Sequence, residues 1–263
     1  LLRALNAGNS TLDPKVQALV DLTVATDAAC PSRQSSATWV ASTAAREKAQ
    51  QMTSGGLASL FDFQAKTPEM AALRAHYAIG ATGAAALATP EAQAALAVTA
   101  LTAGVSRVVS IQVPLLDAHF DDWATDHGPG QLRGFNLIAR VIEDLGKRAH
   151  PAGGTHLDHT VIVGFSEFSR TSMLNQRGGR DHALTNACLL AGAGIKGGQV
   201  IGRSADVGLA PTKTHLGTGA SDDANGEVVK PEHVYRALYW DLGVTADVAD
   251  MRVEPLKALL SKP

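Results

Sequence analysis

Three short stretches of the chain gather carboxylates and imidazoles: 116-LDAHFDDWATDHG-128, 164-GFSEFSR-170 and 178-GGRDH-182. Asp117 and His119 are two residues apart, so in an extended segment both side chains stand on one side. A carboxylate and an imidazole so placed share a cation, or one orients the other. Asp121, Asp122, Asp126 and His127 prolong the run and read as solvated loop residues. Glu167 follows the apolar run 160-TVIVGF-165, so its carboxylate emerges at a strand end, where ionisation needs a partner. Arg170 is either that partner, in a pair that pins the loop, or a bidentate grip on an anionic substrate. Gly178 and Gly179 allow close backbone approach and a sharp turn. Arg180, Asp181 and His182 then sit where a turn can aim an acid and an imidazole at one site, which we favour over a simple Asp–His cap. We expect the groups near 117, 167 and 181 to meet in one pocket.

The elements around these stretches must position them. In 12-LDPKVQALVDLTVATDAA-29, Leu12, Val16, Leu19, Val20 and Thr23 fall at helical spacing, with Asp13 as N-cap and Pro14 in the first turn. A loop is expected around 53-TSGG-56. Two Ala-rich helices follow, from Pro68 to Gly80 and from Pro90 to Gly104, the second capped by Thr89 and Gly104. His76 and Tyr77 in the first read as packed side chains. Stretch 105-VSRVVSIQV-113 is β-branched and reads as a strand. The helix 131–148 carries Leu132, Phe135, Ile138, Ile142 and Leu145 on one expected face. Strands are expected at 159–168, 187–192 and 199–202, and a helix at 231–244. The run 160–165 is nearly continuous in apolar residues, as a strand buried on both faces of a parallel sheet would be.

This order predicts an α/β fold with a mainly parallel sheet. It is expected as one domain over 1–263, with a helical portion, 1–104, packed on a sheet-bearing core, 105–263. In such sheets ligands bind beyond the carboxyl ends of strands, which is where the acid and imidazole clusters fall. His156, Asp158 and His159 precede a strand and are assigned structural roles at the opposite edge. Stretch 203–230, rich in Gly and Asp, reads as a surface loop. Oxygen-rich stretches 121–128 and 219–227 also raise a weaker reading, a structural calcium site.

Composition removes several classes of function. The 263 residues are 45% hydrophobic and 18% charged with net charge -2, so no basic face marks a nucleic-acid partner. Aromatics are 5%, too few to favour a stacking platform. The longest uncharged apolar stretch, 78-AIGATGAAALA-88, is too short to span a bilayer. Cys30 and Cys188 form no CxxC; one disulfide is permitted, and two thiols are the simpler expectation. GxSxG and GxxxxGK[ST] are both missing. Gly192, Gly194 and Gly197 match GxGxxG, but an apparent strand follows in place of a dinucleotide-binding helix. The chain opens on Leu1, and 1-LLRALNAGN-9 reads as the middle of a helix, so upstream sequence such as a cleaved leader is expected.

Taken in order, the strand with DxH, 160-TVIVGFSEFSRT-171, 178-GGRDH-182, 189-LLAGAGIKGGQVIG-202 and 231-PEHVYRALYWDLGV-244 resemble the bacterial "domain of unknown function 1501" family. The likeness covers residues 100–245, with 1–99 only loosely similar. That family is similar to a distant branch of the alkaline phosphatase/sulfatase superfamily, and its members carry twin-arginine export signals. The resemblance implies an alkaline-phosphatase-like sandwich and a periplasmic or extracellular location. It also implies hydrolysis of phosphate or sulfate esters with a divalent metal (zinc, calcium or magnesium), the partner being a small anionic ester. Asp117 and His119 resemble one ligand pair, Glu167 stands where those enzymes have the Asp of an Asp-His-Gly signature, and Asp181 and His182 resemble the later His-bearing segment. Arg170 and Arg180 would hold the anion beside Glu167. Phe168 replaces the signature's His, and Ser169 the family's usual Gly, which leaves a complete two-metal site one ligand short. The alternative is a non-catalytic exported protein that uses the fold for binding or assembly.

Overall fold

The computed structural model describes residues 14–34, 36–54, 57–80, 83–114, 116–123, 125–206 and 208–262. The expected first N-cap at Asp13, Leu12 and the opening stretch 1–9 lie outside them. The chain mixes helix and strand and divides into two compact units, Leu1–Ile111 and Gln112–Pro263. The division falls close to the expected change of texture at 104/105.

The first unit is helical. Its helices are α1 (Pro14–Ala28), α2 (Pro31–Gln34), α3 (Ala37–Ser54), α4 (Leu57–Leu60), α5 (Pro68–Tyr77) and α6 (Pro90–Thr102). Thr53 and Ser54, expected in a loop, complete α3, while 55–56 lie outside the described residues. On α1, Leu19 and Thr23 of the expected apolar face are exposed, and Thr23 returns its hydroxyl to the Leu19 carbonyl. The two Ala-rich helices form from the expected starts, the first stopping at Tyr77, short of Gly80, and the second at Thr102. Thr67 accepts the Met70 amide and Thr89 the Ala92 amide, with Pro68 and Pro90 opening the helices. α6 is buried almost all round through Ala92, Ala94, Ala95, Ala97, Val98 and Ala100, which lets neighbours approach closely. Tyr77 is fully buried with His76 edge-on to its ring, as packed side chains.

The second unit carries α7 (His127–Lys147), β1 (Val161–Phe165), β2 (Ser169–Arg170), β3 (His182–Ala183), β4 (Cys188–Gly192), β5 (Lys213–Thr214), β6 (Glu227–Val228) and α8 (Pro231–Asp241). Residues 105–113 and 199–202, expected as strands, form none. α7 buries Gly134, Leu137 and Leu145, with Ile138 and Ile142 half-buried, but Leu132 is 64% exposed and Phe135 is exposed too. Leu132 and Leu145 lie roughly 220° apart around the helix, so they cannot share one stripe. A second core forms where Val234 and Ala237 of α8 meet Leu256, Leu259 and Leu260. Arg236 is buried there and donates to the carbonyls of Thr245, Ala246 and Val253.

The sheet differs from expectation. Among the described residues every strand pair is antiparallel: β1 with β4, β2 with β3, and β5 with β6. The run VIVGF has no alternation, so its pattern does not encode direction; the connection does. β1 and β4 register from Val161 opposite Gly192 to Phe165 opposite Cys188. The connection between them folds back on itself, pairing Ser169 with Ala183 and Arg170 with His182. The result is one two-tiered hairpin, with β1 and β4 at its base and β2 and β3 towards its tip. Stretches 164–170 and 178–182 are therefore its two legs. Within 203–230, β5 and β6 pair, and Asp222 closes a turn by accepting the amides of Ala224 and Asn225.

Candidate functional site

The hairpin tip is where the polar residues gather, because a third segment crosses it. Phe120 bridges to Gly178, and the Arg180 amide donates to the Ala118 carbonyl at 2.7 Å. The crossing requires glycine. A Cβ on Gly179 would lie 2.1 Å from the His119 carbonyl carbon and 2.3 Å from the Phe120 nitrogen, and Gly178 adopts φ 78°. Segment 116–120 is thereby laid along the leg that bears Arg180, Asp181 and His182.

Asp117, His119 and His182 meet there, with one ligand atom from each lying within 4.8 Å of the others. The Nε2 atoms of His119 and His182 are 2.9 Å apart, and Asp117 Oδ1 is 3.3 Å from His119 Nε2. Asp181 takes the other side of the same ring, its Oδ1 3.5 Å from His119 Nδ1. A proton on Nδ1 facing that carboxylate leaves the Nε2 lone pair pointing into the cluster. Asp181 thus orients a ligand and is not one of the clustered groups. The Asn175 amide donates to Asp181 Oδ1 at 2.9 Å and holds its carboxyl below the usual carboxylate value, with His119 and His182 adding to the effect against partial desolvation. Asp181 is therefore ionised at neutral pH.

Glu167 is not brought to the cluster. It is exposed on the turn between β1 and β2, and among the described residues it joins no hydrogen bond or ion pair. Side chains alternate along an extended leg. Phe168 and Arg170, two residues apart, both face the imidazoles, Phe168 on His182 and Arg170 on His119, while Glu167 sits at the bend before them. The Phe168 ring, standing where the resembled signature has His, stacks on His182 with centroids 3.7 Å apart. So two of the three sequence clusters supply the grouped ligand atoms, while the third contributes Phe168 and Arg170 in place of its acid.

Both arginines are engaged by groups of the fold in this arrangement. Arg170, with a side chain 11% exposed, donates from Nη2 to Asp117 Oδ1 at 3.0 Å and from Nη1 to His119 Nε2 at 3.1 Å. It also reaches the carbonyls of Leu116 and Arg180. Its partner is Asp117 and not Glu167. Arg180 donates to the carbonyls of Thr171 and Ser172 and lies over the Trp123 ring, 4.2 Å from the centroid. Asn175 escaped the sequence reading. Its amide also donates to the His119 carbonyl, and its oxygen accepts the Gly179 amide. The one signal for it was an Asn placed just before a Gly-Gly turn.

His156, Asp158 and His159 form a separate group. Asp158 caps a short turn by accepting the Thr155 amide and hydroxyl, and the His159 ring stacks on His150 at 3.8 Å. Cys30 and Cys188 are free thiols. Among the described residues no helix is long and apolar enough to cross a membrane.

No curated protein and no solved structure matches the chain. A family model described as Protein of unknown function (DUF1501) matches residues 2–218, reaching back over the helical unit where the motifs gave only loose likeness. With that match covering most of its 263 residues, the chain belongs to the DUF1501 family.

Proposed function

We propose that the protein is an exported, metal-dependent hydrolase of phosphate or sulfate esters, a distant relative of the alkaline phosphatase/sulfatase superfamily with a related sandwich architecture. One observation carries the proposal: the clustering of Asp117, His119 and His182 ligand atoms within 4.8 Å. Two imidazoles and a carboxylate are the donor set of zinc sites that keep a position open for substrate. A divalent ion held there supplies Lewis-acid polarisation of an ester oxygen. The chain's own residues prepare the site. Asp181 fixes the His119 tautomer, Asn175 keeps Asp181 ionised, and the exposed Asp117 leaves the cluster open to a solute. Glu167, unpaired and exposed at the same hairpin, remains available as a general base for a substrate that reaches it. Arg170 and Arg180 act in this reading by holding the loops that present the ligands.

The test is metal analysis of the purified protein alongside turnover of p-nitrophenyl phosphate and p-nitrophenyl sulfate. Stoichiometric zinc, calcium or magnesium and measurable turnover, both lost in Asp117→Ala, support the proposal. A protein that binds no offered metal and turns over neither ester overturns it.

A second reading rests on Arg170. Its guanidinium already donates to Asp117 Oδ1 and His119 Nε2, two of the atoms a metal would use. In that reading the cluster is a metal-free, ion-paired knot that stiffens the hairpin tip of a binding or assembly protein.

A further inference from the structure

A cleft of about 730 Å³ lies within the second unit, lined by residues from β4, the 195–204 stretch and the β5 region. Its size is that of a small-molecule site. Its floor is apolar, formed by Leu190, Ile201, Val234, Leu256 and Leu259. Its lining contains two cations, Lys196 and Arg203, and no carboxylate. Neither cation joins an ion pair among the described residues. The Thr214 hydroxyl, in a residue with 0% exposure, has no hydrogen-bond partner and faces Gly202, where an added Cβ would lie 3.3 Å from it. That oxygen has no accessible surface, so a solute in the cleft meets the other lining groups and not this hydroxyl.

We propose that this cleft binds a small anionic molecule with an apolar body, a carboxylate or phosphate carried on a hydrocarbon or ring. Lys196 and Arg203 neutralise its acidic group, and the apolar floor takes the body. Positive charge without a nearby acid, over an apolar base, selects against neutral and cationic solutes. Gly198 and Gly202 both adopt positive φ, at 72° and 75°, which bends the 195–204 wall around the space. The proposal uses none of the residues of the Asp117 cluster and stands or falls separately from the hydrolase reading.

Cys188 lines the cleft and reports its occupancy. Cys30→Ser leaves Cys188 as the one thiol of the chain. Partial desolvation pushes this thiol's pKa up even though the residue is reachable by solvent, so its alkylation by iodoacetamide is followed at about pH 8.5. Octanoate, octyl phosphate, inorganic phosphate and octanol are added in turn. At about ten times its Kd a ligand leaves roughly a tenth of the sites empty and slows alkylation about tenfold. We expect octanoate or octyl phosphate to protect in this way, with the better of the two naming the acidic group, and octanol to protect little. Lys196→Ala with Arg203→Ala should abolish protection. Absence of protection by either anion, equal protection by octanol, or undiminished protection in the double variant overturns the proposal.

Discussion

Gly179→Ala tests whether the crossing of two backbones creates the site. A Cβ at 179 meets His119 C at 2.1 Å, Phe120 N at 2.3 Å and His119 O at 2.4 Å, and all three atoms to be moved are backbone. To restore an ordinary contact of 3.4 Å, segment 118–120 must withdraw from the hairpin by about 1.3 Å. The Arg180 to Ala118 hydrogen bond at 2.7 Å then stretches to about 4 Å and is lost, and the Phe120–Gly178 bridge opens. Each backbone bond contributes about 1 kcal/mol net, and forcing an extra carbon into a filled space costs about 1–3 kcal/mol. Together the variant should lose about 2–4 kcal/mol, a fall in Tm of roughly 5–15 °C for a chain of this size.

Gly128→Ala is the control. It sits in the first turn of α7 with nothing within 4 Å of an added Cβ, so it should match or slightly exceed the parent's stability. Calorimetry of the three proteins gives the stabilities. Imidazole NMR gives the second readout, because withdrawal of 118–120 carries His119 away from His182 and uncouples two rings now 2.9 Å apart at Nε2. A Gly179→Ala protein that melts within about 2 °C of the parent, with the ring resonances of His119 and His182 unmoved, would refute the claim that this contact holds the cluster together.

Two further outcomes follow from neighbouring groups. Arg170→Met removes the cation that shares Asp117 Oδ1 and His119 Nε2; the metal-free protein should lose about 1–3 kcal/mol as the Leu116 and Arg180 carbonyls lose a donor. Calorimetric titration with zinc should then show about tenfold tighter binding or more, and unchanged or weaker affinity would sink the idea that guanidinium and metal compete. His156 has its pKa lowered from 6.5 by desolvation and by its neighbours His150, Arg148 and His159, so the fold favours the neutral ring. That stability is fully present above about pH 6.5 and declines as pH falls below it; urea midpoints of the parent should drop across this range more steeply than those of His156→Gln, and parallel curves would contradict it.

What the residues disclosed, and what they concealed, divides by the range of the interaction. The Asp117–His119 pairing was legible because spacing of two needs only an extended segment. The need for glycine at 178–179 was legible because a bare Cα is a local demand, although its cause, the passage of His119 and Phe120, lies some sixty residues away. The helix caps at Thr67 and Thr89 were legible for the same local reason. Strand direction was not. An unbroken apolar run is satisfied equally by parallel and antiparallel neighbours, and only the return of the chain from Phe165 to Cys188 decides between them. Arg170 lay beyond reach too, since either Glu167 or Asp117 suits a guanidinium and the choice depends on where segment 116–120 is laid against the hairpin.

The antiparallel return also changes why the acids and imidazoles meet. In a parallel sheet, separate strands would deliver them independently to one rim, and each cluster could be lost without disturbing the others. Here 164–170 and 178–182 are opposite legs of one hairpin, so pairing Arg170 with His182 sets both at once. Only segment 116–120 arrives from elsewhere, and it is held by Gly178, Gly179, Arg180 and Asn175 of that same hairpin. The cluster is therefore cooperative by construction. Loss of the hairpin tip should dissolve it as a unit, whether its occupant is a metal ion or the Arg170 guanidinium.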